Sequence, residues 1–408
     1  MSPGRFTCRV VEALEAVPAH LWDQLVPGAS LHLSHAWLRC VEEVAQGRYR
    51  AWYLLVVSPG GDVVAALPCY LVENPRHYAL YNPFDVMGCP AAPDGVLGSP
   101  GGSGCPVEPG REAFFPALLC GSAMAYASAL LLDARRPQAE RDFALGLLVD
   151  EVERLSRQLG ARTVAFPYVS ETQATRLRAA LPAGYAGRLV AAGCLLPLGF
   201  TTFDGYLARF GAGRRRAIRR ELAQFESGGL RARLRGLEGC AEALPPLLAR
   251  VQRKYGHEAN LARIGRSMAT YARHLGPLSR VFLAERHGDP VGFALFFSWR
   301  GRYHARMVGF DYERLGRTAC YFNLLFYHPV QQALRERATA IDYGVESYEA
   351  KASRGCDLHP LHWLVRPPEA WRDTLVAEHE AQGPMTDWTF RTLAARFGRT
   401  WHSGCAAR

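Results

Sequence analysis

The sequence predicts a mixed α/β fold of two tandem domains, each a twisted mixed sheet flanked by helices. Three observations predict it. Two apolar hairpins, "YLLVVSPGGDVVAALPCYLV" at residues 53–72 and "RVFLAERHGDPVGFALFFSW" at 280–299, share one design, a pair of apolar runs around a short polar turn with Asp. Each hairpin is followed by an amphipathic helix that runs into a short apolar strand. Hairpin, helix and strand in that order, twice in one chain of 408 residues, mark a duplicated unit with enough chain for two cores.

In the first half, "FALGLLVDEVERLSRQLGARTVAFPYV" sets Leu145, Leu148, Val152, Leu155 and Leu159 on one helical face. Gly160 suits the C-cap, and residues 163–168 read as a buried strand. In the second half, "YFNLLFYHPVQQALRERATAIDYGV" runs a helix into a strand at 340–343, with Pro329 either kinking the helix or marking its start. The copies are unequal. Residues 82–110 are dense in Pro and Gly and read as a loop, whereas the second half carries a continuous strand, "GRYHARMVGFD", and then "YERLGRTACYFN". The active cleft is therefore expected in the second half. The expected divisions are 1–198, 199–368, and a helical appendage at 369–408 after Pro367-Pro368.

A formal charge of +10 and a pI near 9.2 favour a polyanionic partner. The charge concentrates in "YLARFGAGRRRAIRRELAQFESGGL", where Ile218, Leu222 and Phe225 fall on one helical face and Arg216, Arg219 and Arg220 on the opposite one. Arg214 and Arg215 flank them, Glu221 is the one acid close by, and Gly228-Gly229 ends the helix. Such a run is either an anion-binding face or a solvated one. Of 48 basic residues only Lys254 and Lys351 are lysines, and an ammonium is not interchangeable with a guanidinium. Lys351 is either a buried stem or a cation with a specific task. The eleven cysteines form no C-x-x-C pair, so reduced thiols are expected and neither a disulfide framework nor a zinc site. No histidine pair has a third ligand at metal spacing. The absence of a membrane-length apolar run or of an apolar leader in "MSPGRFTCRVVEALEAV" gives a cytoplasmic expectation.

Four stretches, in this order, resemble the tandem GNAT-fold acyltransferases of the Fem-like kind, which include the peptidoglycan interpeptide-bridge transferases. They are "LHLSHAWLRCVEE", "YLARFGAGRRRAIRRE", "VGFDYERLGRTACYFNLLFYHPVQQA" and "IDYGVESYEAKASRG". The resemblance covers roughly residues 30–365. It implies two GNAT-fold domains and transfer of an activated acyl group to an amine, with no cofactor or metal beyond the donor. In the Fem branch that donor is an aminoacyl-tRNA; in other GNAT proteins it is acyl-CoA. The chain departs from the pyrophosphate-loop pattern Arg/Gln-x-x-Gly-x-Gly/Ala, because residues 313–318 read Glu-Arg-Leu-Gly-Arg-Thr. That departure compromises a CoA cradle, and with the arginine face it favours tRNA as partner. The expected acceptor is a small-molecule amine from a cell-wall or natural-product pathway. The alternatives are an acyl-CoA enzyme and a non-catalytic RNA- or glycan-binding relative.

Aminolysis of an activated ester needs an aligned neutral amine and a stabilised oxyanion. Asp342, before Tyr343-Gly344, and Asp311, at the end of the other cleft strand, are each a base, an amine anchor or a structural brace. His304 shares a strand face with Arg306 and alternates with Tyr303; it is a base or a structural donor. Tyr321 and Asn323 flank the cleft helix and would hold the acyl group, unless Asn323 caps the helix. Tyr343 and Glu346 complete the candidate substrate contacts. By the resemblance, Lys351 meets a donor phosphate, and Arg354 three residues on completes a phosphate clamp; Lys254, with Arg253 on a helical stretch of its own, is either a second phosphate contact or a solvated cation.

Overall fold

A computed structural model describes residues 6–45, 48–75, 81–88 and 111–372. The chain divides into two units, Met1–Gly193 with His359–Arg408, and Cys194–Leu358. The fold is mixed α/β, and both units are built from strands in the same relative order.

In the first unit, β1 (Thr7–Val11), β2 (Arg50–Val57), β3 (Val63–Val72) and β4 (Ala117–Cys120) lie side by side and antiparallel, with the two-residue β5 (Leu131–Leu132) also on β3. The five-residue loop 58–62 expected between β2 and β3 is present. Strand β4 pairs in parallel with β6 (Thr163–Ser170), and β6 pairs antiparallel with β13 (Asp357–Arg366). Helix Gln138–Gln158 buries Leu145, Leu148, Val152 and Leu155 against this sheet, as their spacing predicts. Of the Pro/Gly-rich stretch, residues 83–88 form a short helix, and 89–110 lie outside the described residues.

The second unit repeats the order. Strand β7 (Ala186–Pro197) enters it at Cys194, followed by β8 (Arg231–Arg235), β9 (Ser279–Arg286), β10 (Asp289–Trp299), β11 (Arg302–Phe310) and β12 (Ala340–Asp342). Strands β8 to β11 are antiparallel neighbours, β11 and β12 are parallel, and the end of β7 closes the row antiparallel to β12. Two hairpin turns are left-handed at both central residues, His287-Gly288 (φ 54° and 91°) and Arg300-Gly301 (φ 45° and 74°). That geometry matches the twist of the strands they join.

The expected limit of 198 for the first domain is near the observed one, but the second unit closes at Leu358 rather than near 368. The reason is register: Leu361 to Arg366 pair with Ser170 to Val164 of β6, so that strand completes the first unit. Of the expected appendage only residues 369–372 are described.

Two helical layers cover the second sheet. On one face, helices Ala212–Ser227 and His328–Arg335 enclose Ile218, Phe225, Phe296, Tyr303, Phe326 and Ile341. On the other, helix Leu244–Lys254 comes so close to β11 that a Cβ on Gly309 would sit 2.7 Å from the Leu248 nitrogen and 2.8 Å from the Leu247 carbonyl carbon. Only glycine admits that approach. Gly309→Ala is expected to destabilise the protein by about 1–3 kcal/mol, as overpacking against backbone does. A lower urea midpoint with unchanged slope checks this.

Candidate active site

Strands β11 and β12 pair over only three residues each, Arg302 with Ala340, Tyr303 with Ile341 and His304 with Asp342. Beyond His304, β12 has ended, and β11 runs on along β10 alone among the described residues. The chain after Asp342 instead turns to β7, where Tyr343 N–H donates to the Cys194 carbonyl and Cys194 N–H to that of Gly344. The sheet therefore opens between residues 305–310 and 343–347. On β11 the register slips, Met307 facing Leu295 and Ala305 facing Phe296, which leaves Arg306 as a bulged extra residue beside the opening.

One wall of the opening is held by Lys351. Gly344, Glu346 and Ser347 are all left-handed, with φ of 65°, 67° and 50°. For a non-glycine residue that conformation is costly and persists only where its surroundings fix it. The Lys351 ammonium supplies the fixing. Its Nζ donates to the carbonyls of Tyr343 at 2.7 Å and Val345 at 2.6 Å, and the residue is 6% exposed. A compact point donor fits between two carbonyls where a planar five-donor fork does not.

The other wall is the segment from Gly316 (φ 58°) through Ala319 (φ 52°) into the helix that starts at Cys320. That helix widens into a π-turn over Asn323–Tyr327 just before Pro329, which sits in the first turn of His328–Arg335. Such widenings recur at functional sites. Asn323 is inside this helix, so it is not a cap. Burial pushes the Tyr321 hydroxyl up to about 12, opposed weakly by Arg354 and a hydrogen bond with Ser347 of the facing loop. Thr318 Oγ1, Asn323 Oδ1 and the Tyr343 hydroxyl are buried and have no hydrogen-bond partner among the described residues. Unpartnered buried polar atoms are uncommon in folded proteins.

Beneath this wall is a buried ion pair. Arg354, 3% exposed, places Nη2 at 3.2 and 3.1 Å from the two Glu221 carboxylate oxygens and donates from Nε to the Tyr327 hydroxyl at 3.2 Å. Its guanidinium lies 3.4 Å from the centroid of the Phe322 ring. The Tyr327 hydroxyl also bonds Glu221, and Asn323 Nδ2 donates to the Glu221 carbonyl at 2.9 Å. Lys351 and Arg354, expected as an open phosphate clamp, are thus both buried and engaged with protein groups.

The expected catalytic residues do not gather at one point. Tyr303 is in the core beside Arg280 and Glu336, where burial raises its pKa. His304 faces the other side of β11, with Nδ1 3.6 Å from Asp342 Oδ2, while Asp342 Oδ1 accepts from Gly344 N–H at 2.8 Å. Arg306 shares that side, as expected, and donates to the Tyr271 hydroxyl at 2.7 Å. Asp311 is committed to structure: it accepts from Arg250 Nη1 at 2.6 Å and caps helix Tyr312–Leu315 through Arg314 N–H. Tyr321, through a hydrogen bond with Ser347, and Glu346 border the opening, whereas the Tyr343 ring packs in the core on Phe326 at 4.7 Å and Asn323 Nδ2 donates to the Glu221 and Ala319 carbonyls. Glu221, Tyr327, Arg250 and Ser347 were not foreseen. Glu221 alone carried a signal, as an acid set within an arginine run.

Arg216, Arg219 and Arg220 are exposed and form no ion pair among the described residues, while Arg214 and Arg215 are half-buried and Arg215 donates to the Phe210 carbonyl at 2.6 Å. Arg253 and Lys254 are exposed. Among the described residues no group of His, Cys, Asp and Glu is placed to hold a metal ion, and no helix is long and apolar enough to cross a membrane.

Two duplicated α/β units, the second opening between a parallel strand pair, define a tandem GNAT-fold protein. The FemAB-like family, described as peptidoglycan biosynthesis/recognition, matches residues 108–379, and the chain belongs to it. The structure is similar to FemX, with a TM-score of 0.55 and 11% identity over 87% of this chain and 96% of that one. It is equally similar to a conserved protein of unknown function from Bacteroides thetaiotaomicron, with a TM-score of 0.55 and 10% identity over 88% and 99% of the two chains. No curated protein matches the chain in sequence.

Two substitutions test the construction of the walls. Lys351→Met strands two buried carbonyls and is expected to cost about 1–3 kcal/mol. Lys351→Arg should fail to restore it, and wild-type stability in the arginine variant would show that charge alone suffices. Glu221→Ala leaves a buried guanidinium unpaired and is expected to cost about 3–5 kcal/mol, read from chemical denaturation.

Proposed function

We propose that this protein is an N-acyltransferase that moves an aminoacyl group from aminoacyl-tRNA to the amine of a small-molecule acceptor. The observation that carries the reading is the opening between β11 and β12 on the unit that also bears Arg216, Arg219 and Arg220 without counter-ions. Family membership supports acyl transfer, and the family's peptidoglycan description favours a cell-wall precursor as acceptor. A tRNA donor puts the reaction in the cytoplasm.

The ester of the donor is already activated, so the protein's task is alignment and charge stabilisation. The acceptor nitrogen attacks the ester carbonyl carbon, the bond to the ribose oxygen breaks, and the amine proton passes to that oxygen. In this reading the open edge of β11 at 305–310 presents backbone N–H groups to the oxyanion. Tyr321 and Glu346 line the acceptor side, with Tyr321 kept protonated by burial and able to donate to the leaving oxygen. Asp342, which accepts from Gly344 N–H and lies 3.6 Å from His304 Nδ1, braces the point where the strands part. Arginines 216, 219 and 220 hold backbone phosphates away from the chemistry.

Donor choice is tested by offering the purified protein a labelled aminoacyl-tRNA pool and, in parallel, labelled acetyl-CoA, each with a mixed amine extract. Label passing from tRNA into a nuclease-resistant small product is expected; transfer from CoA alone overturns the reading. Replacing Arg216, Arg219 and Arg220 by Glu is expected to weaken tRNA binding and to lower the slope of log K against log salt by about two to three. An unchanged slope would reduce this face to a solvated one.

A further inference from the structure

Lys254 ends helix Leu244–Lys254, and its ammonium lies 3.8 Å from the ring centroid of Tyr312 and 5.8 Å from that of Tyr255. Both rings face solvent, Tyr255 at 61% and Tyr312 at 38% exposure. Only five large hydrophobic side chains among the described residues are exposed to this degree, and two of them flank this one lysine. Neighbouring arginines are spent on carboxylates: Arg250 pairs with Asp311 at 2.6 Å and Arg314 with Asp289 at 3.0 Å. Lys254 and the exposed Arg253 form no ion pair among the described residues. The local excess of positive charge therefore rests on the two cations next to these exposed rings.

The rings continue inward. Tyr312 is 6.0 Å from Phe310, Phe310 is 6.0 Å from Tyr321, and Tyr321 belongs to the wall of the opening. An aromatic track thus leads from the surface to the candidate active site, with its cations at the outer end. We infer that Tyr255, Lys254 and Tyr312 form a platform for unpaired nucleotides at the acylated end of the RNA donor, which deepens and rests on the aminoacyl-tRNA reading. Bases stack on tyrosine faces irrespective of sequence, and the phosphates between them take Lys254 and Arg253. A neutral sugar stacked on the same rings would leave both cations without an acceptor. Duplex RNA offers its phosphates but no free base face.

The test uses the full chain and a short single-stranded RNA ending in CCA, a duplex of the same sequence, and inorganic phosphate, with binding followed by fluorescence anisotropy. Wild type is expected to bind the single strand. Combined Tyr255→Ala and Tyr312→Ala should weaken that binding about ten- to a hundred-fold, with duplex binding little changed, and Tyr→Phe at both positions should restore it. Tyr255 is 61% exposed, and because Tyr312 also packs on Lys254 and Phe310, an unchanged urea midpoint of the variant is the folding control. In the transfer assay the alanine variant should raise KM for the aminoacyl-tRNA with kcat nearly unchanged. Transfer with an unaltered KM in that variant would overturn the platform while leaving the donor reading intact. Tyrosine-dependent RNA binding without any transfer from tRNA would overturn the donor reading while leaving a nucleotide platform. Equal loss of single-strand and duplex binding would reduce the patch to an electrostatic contact.

Discussion

The second unit depends on the buried pair of Arg354 with Glu221. Removing two charges from water is costly, and their attraction repays it only when geometry is close and the remaining donors are satisfied. Here the guanidinium meets both carboxylate oxygens, the Tyr327 hydroxyl, the Ala350 carbonyl and the face of Phe322. These partners come from separate segments: the arginine helix, the helix after the opening, and the short helix Tyr348–Ala352 that carries Lys351. None can shift without leaving a buried charge short of a partner. The pair therefore fixes the arginine face and the walls of the opening in one arrangement. The π-turn belongs to the same constraint, since it lets Asn323 and Tyr327 both reach Glu221.

The two units show how one architecture is finished in two ways. In each, a parallel strand pair runs for three residues, β4 with β6 and β11 with β12. In the first unit the chain beyond β4 rejoins β6 through a bridge between Ser128 and Val169. There Tyr168, left-handed at φ 52°, packs against Tyr81, Tyr126 and Trp363 at ring separations of 5.7, 5.4 and 5.5 Å. In the second unit the equivalent stretch of β11 stays unpaired on its open side among the described residues. Aromatic packing fills one copy, and the other is left as a site.

Hairpins, helices and the duplication were legible because they rest on local period and on turn residues, which act within a few positions. Ile218 and Phe225 are buried and Arg216, Arg219 and Arg220 exposed, as the helical spacing requires. The role of β13 was not legible, since strand partners far apart in sequence leave no periodic trace. The site was legible as a region and not as a mechanism. Tyr321 and Glu346 do border the opening, yet Asp311 was drawn to Arg250 and Arg354 to Glu221, contacts that only the tertiary structure specifies. A carboxylate at a strand end reads the same whether it faces substrate or a distant arginine.

The scarcity of lysine has a physical reading at both positions where it occurs. Where a cation must lie flat on a ring and grip a carboxylate with two donors, the chain uses arginine, as at Arg354 on Phe322 with Glu221. At Lys351 the requirement is different: two carbonyls of one tight turn, 2.7 and 2.6 Å away, in a space closed to solvent. A guanidinium there would need either a larger cavity or a wider turn, and the turn is what holds Glu346 and Ser347 left-handed beside the opening. Lys254 meets the ring of Tyr312 at 3.8 Å as a point charge and stands 5.8 Å from the ring of Tyr255, which is 61% exposed. An arginine laid flat in its place would cover the face on which a base would stack. The two lysines thus meet two different geometric demands, a pair of carbonyls in a closed space and the face of an exposed ring.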